Sequence, residues 1–412
     1  MSEAVNDQKN SAITQLIHHP YAPPAGFSSP QPGVFKASSV FFPSVACMRS
    51  FEWKDKSAYT YGLHGTPTSY LLEERLCSLE GARQCLLVPS GLAAIATTCL
   101  ALLSAGDEVL VPDNVYGPTK ALVEAELTQW GITHRYYDPM RVDDLADKLS
   151  DKTRLVWLEA AGSVTLEFPD LLGLVRCCRA AGVRCVLDNT WGAGLAFSAF
   201  DLTPSAPDRL GVDVSVHALT KYPSGGGDVL MGSITTVDAA LHLKIKLCHM
   251  RLGFGVGMND VETVLRSLPS ILLRYQAHDA CARELAQWSC QRPEFAQVLH
   301  PALPTSPGHM HWRALCGDAS GRAAGLFSVV FKPTISQRTV DRFCDALTLF
   351  KIGYSWGGPI SLVVPYDLRH MRSVWPAHLQ RGALVRFSIG LEAFEDLRAD
   401  LAQALQVITL DS

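Results

Sequence analysis

From Thr66 onward the apolar residues fall into two spacings. Short apolar runs bounded by Gly, Pro or Asp predict strands over 85–88, 108–112, 133–137, 155–158, 184–187 and 214–217. Between them lie segments whose apolar residues recur every three or four positions, which predicts helices over 92–103, 118–129, 142–149 and 169–180. Strands alternating with helices read as α/β units, so a mainly parallel sheet covered on both faces is expected. A longer helical pattern over 258–277 precedes a stretch that mixes helices with the strand-like LFSVVF and ALVRFSIG. The expected fold class is α/β, with a large domain over 66–260 and a smaller C-terminal α/β domain over 261–412.

Residues 11–57 break this rhythm, being rich in Pro, Ser and Phe without a sustained helical period. Residues 1–65 therefore read as an extended arm. Phe41, Phe42, Phe51 and Trp53 on such an arm need a covering surface, for which a neighbouring subunit would serve.

Composition narrows the function classes. The 412 residues hold 36 Lys plus Arg against 40 Asp plus Glu, a net charge of -4, which offers no cationic field to nucleic acid or an anionic membrane. A small-molecule substrate is the expected partner. Hydrophobic residues at 48% against 18% charged support a chain with extensive buried surface. No apolar run reaches the roughly 20 residues that cross a bilayer. The opening MSEAVNDQKNSAIT lacks a basic start followed by an apolar run, so a cytoplasmic location is expected. Twelve cysteines are scattered from Cys47 to Cys344 without a C-x-x-C pair, and they read as reduced core thiols with no metal centre.

Five separated features make sense together if the large domain holds an aldehyde cofactor bearing a phosphate. In VHALTKYPSGGGDVLMG, Lys221 follows a predicted strand and precedes a glycine-rich turn. Its amine can form a Schiff base, although a solvated lysine beside a flexible loop has the same local signature. In VRCVLDNTW, Asp188 stands at the carboxyl end of a strand, where open α/β sheets place ligand groups. A carboxylate there can keep a pyridine nitrogen protonated and make the ring an electron sink; a turn or helix-cap Asp is the competing account. In VPSGLAAIATTCLALL, Ser90 and Gly91 open a helix whose first N–H groups suit a phosphate, and whose serine equally suits a plain N-cap. Tyr116 in DNVYGPT lies just beyond another strand, where its ring could stack on a planar cofactor or simply fill a turn. Arg386 in ALVRFSIGLE interrupts an apolar strand downstream of YSWGG at 354–358. An arginine so placed usually has a bidentate anion partner, either a substrate carboxylate or an internal salt bridge.

With YTYGLHGTPT, LEERLCSLEG, SGLAA, NVYGPT, LDNTWGAG, TKYPSGGGDVLMG, HPALPTSPGH, GLFSVVF, YSWGG and VRFSIGLE in that order, nearly the whole chain resembles the Cys/Met-metabolism family of pyridoxal-phosphate enzymes. Within it, the bacterial cystathionine β-lyase branch is the most similar. The resemblance implies the aspartate-aminotransferase-like fold type I and the cofactor pyridoxal 5′-phosphate. It implies that Lys221 carries the cofactor as a Schiff base, that Asp188 pairs with the pyridinium nitrogen and that Tyr116 stacks on the ring. Gly91, Leu92 and Thr220 would approach the phosphate. Arg386, helped by Ser355, would hold the substrate carboxylate, and Trp356 would shape the pocket. Tyr61 would reach the phosphate and substrate of a neighbouring subunit, because family sites are shared across a dimer and dimers pair into homotetramers.

Two departures accompany the likeness. Leu63 stands where relatives often carry a phosphate-binding arginine, and adjacent His64 is not a substitute, since neighbours on an extended segment point oppositely. EAAGS at 159–163 stands nearer to the β-lyase pattern E-S-P-G-S than to the Ser/Thr-Pro-x-Asn-Pro of the γ-acting branches. The implied reaction is β-elimination from L-cystathionine to homocysteine, pyruvate and ammonia in methionine biosynthesis, with Lys221 as the base at Cα. The rivals are a γ-acting lyase or synthase, for which S-L-G-G in place of YSWGG would be expected, and a cysteine or cystine desulfhydrase. From another class, a non-catalytic regulatory protein on the same fold would have little use for Lys221, Asp188, Tyr116 and Arg386 together.

Overall fold

The computed structural model describes residues 11–17, 25–204, 209–317 and 322–409. Residues 1–10 and 18–24, which hold much of the opening segment and of the proline-rich arm, lie outside the described residues.

Seven strands form the larger sheet: β1 (Gln84–Val88), β2 (Glu108–Pro112), β3 (Thr133–Tyr137), β4 (Thr153–Glu159), β5 (Arg184–Asp188), β6 (Val214–Ala218) and β7 (Gly232–Thr236). Their spatial order is β1-β7-β6-β5-β4-β2-β3. All the strands from β3 to β6 in that order pair in parallel, while β7 runs antiparallel to both β6 and β1. The six expected strands are therefore present, and β7 joins them. Its sequence GSITT concealed it: Ser233, Thr235 and Thr236 are polar yet fully buried, so polarity does not report exposure there. The same effect hid the helix Pro67–Glu80, which buries Glu73, Arg75 and Glu80 alongside Leu72, Leu76 and Leu79. That helix is well bounded, with a Thr66–Ser69 capping box and Pro67 at its start, and Gly81 in the left-handed region at its end.

Both sheet faces are covered. On one, Leu158 and Leu187 join Leu72, Leu76, Leu174 and Leu265 in a single core. On the other, Trp157 and Val186 pack with Ile95, Cys99, Val123 and Ile245. This two-sided burial is why the central strands read as continuous apolar runs.

The long helical pattern over 258–277 divides into Met258–Ser267 and Ile271–Ser289, joined by a single turn over Leu268–Ser270. Pro269 has no N–H to donate at that point, so the turn tightens there. Downstream lies a five-stranded sheet of β8 (Phe295–Leu299), β9 (Leu326–Phe331), β10 (Lys351–Ile352), β11 (Leu362–Tyr366) and β12 (Leu384–Ser388), in the order β10-β11-β12-β9-β8. Phe327, Phe343, Phe350 and Phe387 form its core with the terminal helix Phe394–Thr409.

The N-terminal stretch is less extended than expected. It contains short helices Ala12–Ile17 and Val45–Ser50, and Leu16 is fully buried in the same core as Leu72. Phe41 remains 95% exposed. Among the described residues, no helix is long and apolar enough to cross a membrane, and no group of three or more His, Cys, Asp or Glu is placed to hold a metal ion. All twelve cysteines are free thiols.

Candidate active site

The carboxyl edge of the larger sheet gathers most of the residues singled out above. β5 ends on Asp188 itself. Thr190 donates its backbone N–H (3.0 Å) and its hydroxyl (2.5 Å) to Asp188 Oδ1, and Thr190 Oγ1 in turn accepts the N–H of Ala218 at 2.9 Å. The carboxyl group is thus fixed between β5 and β6. Burial raises its pKa, while the Thr190 hydrogen bonds and the nearby His217 and Lys221 oppose that rise.

Lys221 follows β6 in a tight turn, its N–H donating to Ala218 O and its carbonyl accepting from Gly225. The neighbouring Tyr222 anchors that turn: its hydroxyl accepts the Gly325 N–H at 2.7 Å and its carbonyl accepts from Arg274 Nη1 at 2.7 Å. Across the turn lies the YSWGG loop. Gly357 has φ +79°, and a Cβ there would sit 2.9 Å from Tyr222 N, so only glycine permits this approach. The loop brings Ser355 Oγ to 3.0 Å from Lys221 Nζ and the Trp356 ring centroid to 5.5 Å.

Burial, then the Arg386 charge, pull the Lys221 pKa down to about 8, against a smaller opposing effect of Asp188. An amine reacts only when unprotonated, so its reactivity should rise with pH through that value. We expect the rate at which cofactor-free protein combines with pyridoxal phosphate to be half-maximal near pH 8. A midpoint near the ordinary lysine value of 10.5 would show that these neighbours do not act on it.

Ser90 caps the helix Gly91–Leu102, its Oγ accepting the Ala93 N–H at 3.0 Å. The N–H groups of Gly91 and Leu92 precede the first possible intrahelical bond and remain available to an anion. Gly91 packs directly on β6, where an added Cβ would lie 2.6 Å from Ala218 Cβ. Gly91→Ala should push the helix start off the lysine strand, lowering stability by about 1–3 kcal/mol and weakening cofactor retention. Thermal melting and cofactor titration check both effects. The Thr220 hydroxyl lies 3.4 Å from Met231 O, immediately before Lys221. Tyr116 is 43% exposed and immediately precedes the helix Gly117–Leu122.

Arg386 lies in the middle of β12 and is 8% exposed. Its Nη2 approaches the Ser355 carbonyl at 3.4 Å, and its guanidinium is 5.4 Å from the Tyr366 ring centroid. Nε is buried without a partner, and no carboxylate pairs with Arg386 among the described residues. The internal salt bridge considered for it is not formed there. Tyr61, 47% exposed, lines a different cavity of about 490 Å³ with Lys36, Leu63, Gly255 and Met258, whose walls include none of the residues around Lys221. His64 is occupied elsewhere, stacked on Trp53 at 4.1 Å and 2.9 Å from Thr60 Oγ1.

Two contributors were not anticipated. Thr190 had a legible signal, since a hydroxyl two residues after an aspartate is a familiar side-chain turn. Tyr366 had none, because its place beside Arg386 comes from antiparallel pairing: Val364 opposes Arg386, and Tyr366 lies two residues along on the same face.

The site presents an amine that can lose its proton, a fixed carboxylate at a strand end, a helix start packed closely on β6, and a buried cation without a counter-ion among the described residues. These fit the aldehyde, pyridine nitrogen and phosphate of pyridoxal phosphate, with the cation left over for a substrate acid. On such an α/β scaffold this defines a pyridoxal-phosphate-dependent enzyme. The chain belongs to the Cys/Met metabolism PLP-dependent enzyme family, whose model matches residues 13–406. It is 36% identical to the cystathionine beta-lyase of Bordetella avium, over 97% of this chain and 99% of that one. It is also 34% identical to the L-alanine/L-glutamate racemase of Wolbachia pipientis wMel, over 84% of this chain and 82% of that one. The crystal structure of metB from Corynebacterium glutamicum superposes with a TM-score of 0.84 at 26% identity, covering 98% of this chain and 99% of that one.

Proposed function

We propose that this enzyme is a carbon–sulfur β-lyase that cleaves L-cystathionine, with water, to homocysteine, pyruvate and ammonia. The observation that carries the reading is Ser355, which touches both ends of the reacting unit: its hydroxyl meets Lys221 Nζ and its carbonyl meets Arg386. An α-carboxylate held on Arg386 therefore sets the substrate's Cα beside the Lys221 amine. Bound pyridoxal phosphate supplies an electron sink for the bond-breaking at Cα and Cβ.

The residues do the rest. Arg386 supplies the charge and fork geometry for the carboxylate. Lys221, with its pKa drawn down to about 8, takes the Cα proton and can return one. Asp188 holds a proton on the pyridine nitrogen, Tyr116 covers the ring, and Gly91, Leu92 and Thr220 hold the phosphate. Trp356 closes the pocket over Lys221. With Leu63 in the arm, the phosphate has one cation fewer than in relatives with arginine there.

We divide the chain into an arm (1–65), a cofactor-holding domain (66–260) and a smaller domain (261–412). The exposure of Phe41, and of Tyr61 in a cavity that includes none of the residues around Lys221, supports an arm that covers a neighbouring subunit and completes its site in a homotetramer. Twelve free thiols support a reducing, cytoplasmic location.

Product analysis tests the reaction. Equimolar pyruvate and homocysteine from L-cystathionine are expected. 2-Oxobutyrate with cysteine would replace the β-lyase by a γ-acting enzyme, and interconversion of alanine enantiomers without pyruvate would replace it by a racemase. Parallel assays with cystine and cysteine measure the desulfhydrase alternative.

A further inference from the structure

The EAAGS segment at 159–163 begins at the carboxyl edge of the larger sheet. Glu159 ends β4, and its register partner on β5 is Asp188. Partners across neighbouring strands point to the same face, so two carboxyl groups stand side by side. Glu159 is 8% exposed, and its Oε2 accepts the backbone N–H of Tyr116 at 3.0 Å. Because Tyr116 is the last residue before the helix Gly117–Leu122, that bond fixes the point from which its ring projects.

Neighbouring carboxyl groups away from water do not both carry charge. The donors around them decide which one does. Asp188 receives two hydrogen bonds from Thr190 and faces Lys221 and His217. Glu159 receives the backbone N–H of Tyr116, and the cation near it, Arg372, is paired with Glu167. Burial first and the Asp188 charge second push the Glu159 pKa well above the usual carboxylate range.

We propose that Glu159 is a positioning residue that acts through Tyr116 as an uncharged acid, tying down the tyrosine backbone and leaving Asp188 the anion of the Glu159–Asp188 pair. The inference rests on the reading of Tyr116 as the residue that covers the cofactor ring.

The test uses cofactor-loaded enzyme with two readouts, the pH midpoint of its visible absorbance and kcat. Glu159→Gln keeps the carbonyl acceptor and the neutrality, so the midpoint should be unmoved and kcat within about twofold of wild type. If Glu159 were ionised, removing its charge would lower the midpoint by about one pH unit, and the proposal would be overturned. Glu159→Met removes the acceptor at similar volume and should lower kcat about tenfold with the absorbance retained. In a Tyr116→Ala background the methionine substitution should add nothing, because both changes break one linkage. An additive effect there, with Tyr116→Ala itself impaired, rejects the Glu159 proposal alone. An unimpaired Tyr116→Ala rejects the role of the ring and the positioning claim together.

Discussion

Lys221→Ala is expected to reduce turnover by at least about 10³-fold, since it removes both the covalent attachment and the base at Cα. The visible absorbance of the attached cofactor should vanish, while phosphate and ring contacts retain part of the cofactor non-covalently. No neighbour is suited to take over. Ser355 Oγ lies 3.0 Å from Nζ, but a hydroxyl is a far weaker base than an amine whose pKa is about 8. Tyr116 is harder to ionise than an ordinary tyrosine, because burial and then the Asp188 charge raise its pKa. The measurement is kcat with cystathionine beside an absorbance spectrum of the dialysed protein. Turnover persisting within tenfold of wild type, after the absorbance is lost, would remove Lys221 from the chemistry.

How legible this site was in the sequence depended on whether a residue's role is local or produced by pairing. Asp188, Lys221 and Gly91 sit at strand ends and helix starts, which short motifs mark directly. The central strands were legible because both faces are buried, so they appear as unbroken apolar runs. β7 and the helix Pro67–Glu80 were hidden by one cause, polar residues that are nonetheless buried inside the fold. Glu80 illustrates it: fully buried, it accepts from Asn189, Ser215 and His217, three partners more than a hundred residues away. No window on the sequence contains such a network. Tyr366 and the Glu159–Asp188 pairing were likewise hidden, since each exists only once strand register is set.

Among the described residues no counter-ion meets Arg386, and from this comes the second large effect, in which stability and function move in opposite directions. A buried guanidinium without a carboxylate carries a desolvation penalty that the Ser355 carbonyl and the Tyr366 ring offset only in part. Removing the charge should relieve that penalty. Arg386→Leu is therefore expected to stabilise the substrate-free protein by about 1–3 kcal/mol, while kcat/KM for cystathionine falls by about 10²–10³-fold as the carboxylate loses its partner. Arg386→Lys keeps the charge but not the planar fork, and should recover only part of the loss. Alanine, which offers a carboxylate but no leaving group, should raise the melting temperature of the wild type and leave that of Arg386→Leu unchanged, because only a state that binds the ligand is stabilised by it. Differential scanning fluorimetry with and without alanine, set against steady-state kinetics, separates the two effects. If the leucine variant melts lower and its KM is unaltered, Arg386 is a structural group whose partner is another part of the protein, and the carboxylate must be held elsewhere.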